Sequence, residues 1–236
     1  MSDQYQKLAQ YYDEFVQKNR DYQSIANYLS EIIGENRKLL DIGIGTGLVV
    51  QYLLKAEPNY NITGVDNSQS LLDIAQEKLG NKVNLYCQSV AELNIDDIFD
   101  VAYSRGGAWT FVKNEQETLL ASHILNTDDI QKSFHCVAKH LKTGGLLIVS
   151  SSNAYGDNLV ELENGIIHKR TAHTENVEGN LYANLDYFFY EGEKLLAKQT
   201  LKLRLLTEQE LTPILKNSGF TQKNIDSDQY HVYVKS

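Results

Sequence analysis

The amino-acid sequence predicts an α/β fold, a doubly wound sheet of seven strands that carries a small antiparallel β insertion after the fifth strand. Three observations predict it. Residues 39–54 read as a buried strand, a glycine-rich turn and a helix. Short apolar runs then alternate with amphipathic stretches to about residue 150, which is the rhythm of βα units. From 151 to 206 the rhythm gives way to longer strand-like runs joined by short polar turns, the pattern of antiparallel strands.

Residues 3–19 place Leu8, Tyr11, Tyr12, Phe15 and Val16 at helical spacing. A second helix over 21–33 buries Ile25, Tyr28, Leu29, Ile32 and Ile33 and stops at Gly34. The run from Leu39 to Ile42 is the first strand, and glycines at 43, 45 and 47 turn the chain into a helix that starts at Leu48. The second strand, 60–65, ends in Asp66. Asn67 and Ser68 then offer an N-cap to a helix buried through Leu71, Leu72, Ala75 and Leu79. Residues 83–86 and 99–104 read as the third and fourth strands. The stretch 112–141 reads as mostly helical, with a start at Thr127, Asp128 and Asp129 and a stripe of Ile130, Phe134, Val137 and Leu141. The fifth strand is 146–149. In the insertion, strand-like runs at 159–170, 179–190 and 194–205 include a hairpin at Tyr190-Glu191-Gly192-Glu193. A capping box of Thr207 and Glu210 opens the last helix, and two strands near 221–226 and 230–235 finish the chain.

Composition narrows the function. At 236 residues the chain can bury a large core, and its 42% hydrophobic and 22% charged content is ordinary for a soluble globular protein. A net charge of −9 argues against a broad phosphate-binding face, and so against nucleic acid as the main partner. No stretch is long and apolar enough to span a bilayer, and no secretory h-region is present, so neither membrane nor export is expected. The two cysteines, Cys87 and Cys136, form neither a disulfide framework nor a spaced zinc set, so no metal is expected and a cytoplasmic protein fits.

The glycine spacing separates two nucleotide-binding readings. A dinucleotide fingerprint would need glycine at position 48, which is Leu48. That ranks a nicotinamide dehydrogenase low. The observed Asp41-x-Gly43-x-Gly45-x-Gly47 resembles motif I of the class I S-adenosylmethionine-dependent methyltransferases, whose fold is Rossmann-like with the last strand antiparallel. The resemblance implies S-adenosyl-L-methionine as cofactor, with this loop under its methionine part and Asp41 helping to hold the amino group. Asp66, at the end of the second strand, would accept the ribose hydroxyls, which a carboxylate can do in bidentate fashion, and Asn67 follows it. Ser89 stands where the family often has an aspartate for the adenine amino group, so adenine is expected to rest on backbone groups and on Val90 and Ala91.

Other segments extend the likeness. Tyr11-Tyr12-Asp13 and Arg20-Asp21-Tyr22 resemble the N-terminal cap of small-molecule methyltransferases, which makes Tyr12 and Tyr22 candidate cofactor contacts. Ser104 and Arg105 would lie beside the sulfonium, with Gly106 and Gly107 allowing close approach and Trp109 either in the core or walling the acceptor. The L-x-x-G-G turn at 141–145 and the L-T-x-x-E-L to G-F ending at 206–220 are similar to those of the family. The insertion is similar to that of N-methyltransferases of the glycine and amino-sugar kind. His168, Arg170, His173, Tyr187 and Tyr190 are its acceptor candidates, although strand alternation must turn about half of them away. His123, His135 and His140 read as structural or exposed.

Residues 1–35 are expected to form a helical cap, 36–150 the cofactor-binding core, 151–206 a lid, and 207–236 the completion of the sheet. The implied activity is in-line methyl transfer to an N or O atom of a small-molecule or peptide acceptor. His168, His173 and Arg105 are the catalytic candidates: an amine or hydroxyl acceptor would use a base, and a carboxylate an arginine clamp. The alternative is a non-catalytic S-adenosylmethionine-binding or scaffold protein of the same fold. Oligomeric state is not readable.

Overall fold

Alternation along the central strands decides where every helix goes. A computed structural model describes residues 9–18, 20–113, 116–153 and 155–236. Five parallel strands, β1 (Lys38–Ile42), β2 (Asn61–Asp66), β3 (Val83–Cys87), β4 (Phe99–Ser104) and β7 (Leu141–Asn153), lie in the order β3-β2-β1-β4-β7. Two C-terminal strands extend that edge: β13 (Tyr230–Lys235) runs antiparallel to β7, and β12 (Phe220–Lys223) antiparallel to β13. This is the expected seven-stranded sheet with its last strand antiparallel.

Successive side chains point to opposite faces. Leu39, Val101, Tyr103 and Ile148 therefore share one core with α2 (Tyr22–Ile33), α3 (Leu48–Ala56) and α4 (Gln69–Leu79). Leu40, Ile42, Ala102, Leu147 and Val149 share the other with α5 (Thr127–Lys139) and α6 (Glu208–Asn217). Strands covered on both faces read as continuous apolar runs, which is why they are visible in the sequence. The caps are also as expected: Asp21 accepts from Gln23 and Ser24 N–H at the start of α2, and Gly34 ends it. Ser68 accepts from Leu71 N–H ahead of α4, and Thr207 and Glu210 form the capping box of α6.

The stretch 112–141 departs from the expectation. Its first part is a hairpin, β5 (Trp109–Lys113) with β6 (Thr118–Ser122), and only α5 is helical, capped by Asn126, which accepts from Asp128 and Asp129 N–H. A short, mostly apolar run such as Trp109 to Val112 fits a buried strand or a buried helix equally well. Pairing settles it, with Phe111 beside Ser151 of β7 and Leu120 beside Leu206 of β11 (Lys194–Leu206).

That hairpin makes the second sheet larger than residues 151–206. Its order is β7-β5-β6-β11-β10-β9-β8, with β8 at Asn158–Glu161, β9 at Ile166–Val177 and β10 at Asn180–Glu191. Strand β7 belongs to both sheets. Its residues 146–150 pair with β13, and 151–153 with β5. The concave face of the second sheet carries Leu185, Tyr187, Phe189, Leu201 and Leu203, and the first helix, α1 (Ala9–Gln17), closes over it. Residues 3–8 of the expected first helix, Leu8 among them, lie outside the described residues.

Helix α1 is fastened on both sides. Phe15 stacks on His168 with ring centroids 4.6 Å apart, Tyr11 stacks on Phe189 at 4.6 Å, and the Glu14 carboxylate accepts from Glu163 N–H. Toward the parallel sheet, Asp13 pairs with Lys78 and accepts from the Thr46 hydroxyl, while Lys78 Nζ donates to Thr46 O at 2.9 Å.

Candidate active site

A ligand of an open α/β sheet lies beyond the carboxyl ends of its strands, and a cleft is found there. Gly43 and Ile44 N–H both donate to Val65 O, at 2.8 and 3.1 Å, pulling the loop after β1 toward β2. Gly43 has φ +78, and a Cβ there would stand 2.5 Å from Gly107 Cα, so the two glycine loops touch backbone to backbone. Gly47, at φ +72, starts α3 and packs beneath Leu79.

Asp66 stands at the cleft's centre. Its Oδ2 accepts from Gly45 N–H at 2.9 Å and its Oδ1 from Ser68 N–H at 2.9 Å. Each carboxylate oxygen can accept more than one hydrogen bond, which suits a pair of ribose hydroxyls. Val65, Leu71, Val90 and Ile124 line the cleft with apolar surface, and Asn67, Gln88, Ser89 and Tyr12 line it with polar groups. These residues fit S-adenosylmethionine.

A second chamber adjoins the first, lined by Arg20, Arg105 and Arg170 with Tyr22, Tyr155 and Tyr187. Tyr12, Gly106 and His123 line both. Burial holds the Tyr12 and Tyr155 hydroxyls well above the usual phenol range, so they stay protonated and can donate. Burial also pushes His123 down to about 4, which keeps its imidazole neutral at neutral pH.

The expected site residues divide between these surroundings. Gly43, Gly45, Asp66, Asn67, Ser89, Val90 and Tyr12 line the first cleft. Tyr22 and Arg105 line the second chamber instead. Asp41 lies below the loop, 3% exposed, where burial raises its carboxyl to about 7 against the lowering effect of the nearby Tyr103 hydroxyl. Ser89 also caps the 3₁₀ turn at Val90–Glu92 by accepting from Ala91 N–H at 3.3 Å.

Besides Tyr22 and Asp41, three more expected contacts do not line the cleft. Gly47 is a helix cap, as above. The Ser104 hydroxyl donates to Trp109 O at 2.8 Å and accepts from Trp109 N–H at 3.1 Å, so it closes the 105–108 loop from beneath. Ala91 faces α5, with its carbonyl accepting from the Cys136 thiol. Trp109 is a core residue, stacked on Phe134 at 4.0 Å.

The register of the second sheet settles which lid residues face inward. Arg170 lies opposite Tyr187, and His168 opposite Phe189, so these four share one face. His173 sits on the other face opposite Asn184 and is exposed, which takes it out of reach of either chamber. Tyr190 also turns away, stacked with Phe188 at 6.2 Å. His168 faces inward but is sealed behind Phe15, fully buried, and is pushed down to about 4 by burial and then by Arg170. Neither histidine stands where a base for the acceptor would be.

His123 and Tyr155 line the second chamber, and the sequence signal for both was weak. His123 N–H donates to Ala108 O at 3.1 Å, a contact that exists only because β5 and β6 form a hairpin. Tyr155 follows the end of β7 and enters the chamber only because β7 crosses into the second sheet.

Comparison with known proteins agrees with this geometry. Residues 39–145 match the family described as a methyltransferase domain. The matched segment, a little under half of the chain, carries Gly43, Gly45 and Asp66 of the cleft and supports a class I S-adenosylmethionine-dependent methyltransferase. The chain is similar to a malonyl-[acyl-carrier protein] O-methyltransferase of Bacillus cytotoxicus, 30% identical over 115 residues, covering 48% of this chain and 35% of the relative. It thus spans about a third of the length of that relative. The fold is shared along nearly the whole chain with an S-adenosylmethionine-dependent methyltransferase from Clostridium acetobutylicum, at a TM-score of 0.69 and 22% identity, covering 98% and 99% of the two chains. An amino pentose methyltransferase from Micromonospora echinaspora, solved with S-adenosylmethionine bound, gives a TM-score of 0.70 at 14% identity, with 96% of each chain covered.

Proposed function

We propose that this chain transfers the methyl group of S-adenosylmethionine to an N or O atom of a small molecule held in the second chamber. The observation that carries the reading is the junction: Tyr12, Gly106 and His123 line the cofactor cleft and the second chamber at once. S-Adenosylmethionine supplies a methyl group already activated on a sulfonium. The chain's own residues have to position the acceptor and exclude water, and orientation alone supplies about 7–11 kcal/mol of barrier reduction.

In this reading Asp66 orients the ribose and Gly43 and Gly45 admit the cofactor close to backbone. Tyr12, on α1, shuts the junction from above. His123, held neutral, can accept a hydrogen bond from the N–H or O–H of the acceptor. Its low pKa makes it a weak base, so its main effect is to fix the acceptor lone pair toward the methyl. A small acceptor suits a chamber roofed by α1 and by the concave lid better than a peptide does. Two free cysteines, Cys87 and Cys136, suit a reducing cytoplasm.

The test is incubation of the purified protein with methyl-labelled S-adenosylmethionine and pooled small metabolites, read by mass spectrometry. A labelled product supports the reading. Calorimetric binding of S-adenosylhomocysteine with no label in any pool supports the non-catalytic alternative.

A further inference from the structure

We propose that the acceptor carries an anionic oxygen group, a carboxylate or its equivalent, and that Arg105 and Arg170 clamp it in the second chamber. The inference rests on the methyl-transfer reading and names the substrate class of the same site. The two arginines reach the chamber from unrelated elements, the loop after β4 and the inner face of β9. A third, Arg20, joins them from the segment between α1 and α2, and it is exposed at the rim.

The charge balance around these groups is uneven. No Asp or Glu is among the described residues that line the chamber. Elsewhere the arginines do find carboxylates, Arg37 with Glu57 and Arg204 with Glu210. Among the described residues neither Arg105 nor Arg170 has such a partner. The acids nearby are already engaged: Asp13 with Lys78 and Thr46, Asp21 as the cap of α2, Asp157 with Ala172 N–H, and Asp66 in the cofactor cleft. The chain as a whole is acidic, at −9, so a pocket holding only cations is a local concentration and not a reflection of composition.

Gathering like charges in a half-buried space is unfavourable unless an anion completes it. The geometry also suits recognition. Arg170 Nε–H donates to Gly156 O at 3.0 Å, which fixes the guanidinium plane, and its carbon lies 5.8 Å from the Tyr155 ring centroid. The guanidinium also meets the Tyr187 hydroxyl, and its remaining N–H groups can donate to an oxygen anion. Tyr155 sits among all three guanidinium groups, each of which acts on its hydroxyl, and Tyr187 stands directly opposite Arg170. Kept protonated by burial, both hydroxyls are neutral donors that an anion can accept and a cation cannot use.

The test uses succinate as the anionic probe and succinamide as its neutral counterpart. Each is titrated calorimetrically into the protein saturated with S-adenosylhomocysteine. Succinate should bind measurably tighter than succinamide. Arg105→Gln and Arg170→Gln should each weaken succinate by about 10- to 100-fold, the effect of losing one charge-assisted pair. Arg170→Lys should recover part of that loss. S-Adenosylhomocysteine affinity, measured in every variant, should stay within about twofold and doubles as the check that each variant has folded.

Equal binding of succinate and succinamide by the wild-type protein overturns the proposal. So does an arginine variant that loses S-adenosylhomocysteine affinity while succinate is unchanged, because the arginine would then serve the cofactor. Failure of the wild-type protein to bind S-adenosylhomocysteine at all is a different result, since it removes the methyl-transfer reading itself.

Discussion

The two chambers are built from different materials. The cofactor cleft is made largely of backbone: Gly43 against Gly107, Gly45 N–H on Asp66, and the ends of parallel strands whose positions the core fixes. The second chamber is made of long side chains delivered by α1, the loop after β4, and β9 to β11. A backbone-built site tolerates almost no change, whereas a side-chain-built site can be rewritten one residue at a time. One fold can therefore keep its cofactor and exchange its acceptors.

If that contrast holds, perturbing the cleft should cost stability and cofactor together. Gly43→Ala should have the largest effect. It adds left-handed strain to an overlap with Gly107 that no rotamer relieves, together about 2–5 kcal/mol, read as a lower denaturant midpoint with weakened S-adenosylhomocysteine binding. A well-folded variant with normal binding would break the comparison.

His123→Ala should come next and behave oppositely. We expect kcat to fall about 10²-fold, roughly 2.7 kcal/mol, a larger loss than any in cofactor affinity or unfolding midpoint. An unchanged kcat would return His123 to a structural role.

Asp41 sharpens the comparison through pH. Its carboxyl is raised from 3.8 to about 7, so between those values the native state holds a proton that the unfolded chain has released. Stability of the cofactor-free protein should therefore fall as pH rises from about 4 to about 7. Asp41→Asn should flatten that slope, gaining on the order of 2 kcal/mol relative to wild type at pH 8 and nothing at pH 4, measured by denaturant unfolding across pH. A slope that survives the substitution would assign it to another group.

The smallest effect is expected at Asp66. Asp66→Asn keeps one acceptor oxygen and loses the charge, and should weaken S-adenosylhomocysteine by about 1.5 kcal/mol in a calorimetric titration. No change would remove Asp66 from the ribose.

The difference in material also explains what the sequence disclosed. Asp41 to Gly47 and Asp66 are contiguous or nearly so, each carries its own conformational signal, and the helix caps at Asp21, Ser68 and Thr207 follow from local hydrogen bonding. The hairpin of β5 and β6 was hidden, because short apolar runs have no distinguishing period and only pairing with β7 and β11 makes them strands. His123 was lost with it. In the lid, the candidates were readable but their direction was not. That depended on the β9–β10 register, in which a one-residue slip would have turned His173 inward and Arg170 outward.

Strand β7 has a mechanical consequence. Its residues 146–153 run from the parallel sheet into the second sheet without interruption, and 151–153 carry β5. The lid is thus cantilevered from the core on a continuous beam, and swinging it open would tear the ladder at its root. Among the described residues, helix α1 is fastened by side-chain contacts at its two flanks and pairs with no strand.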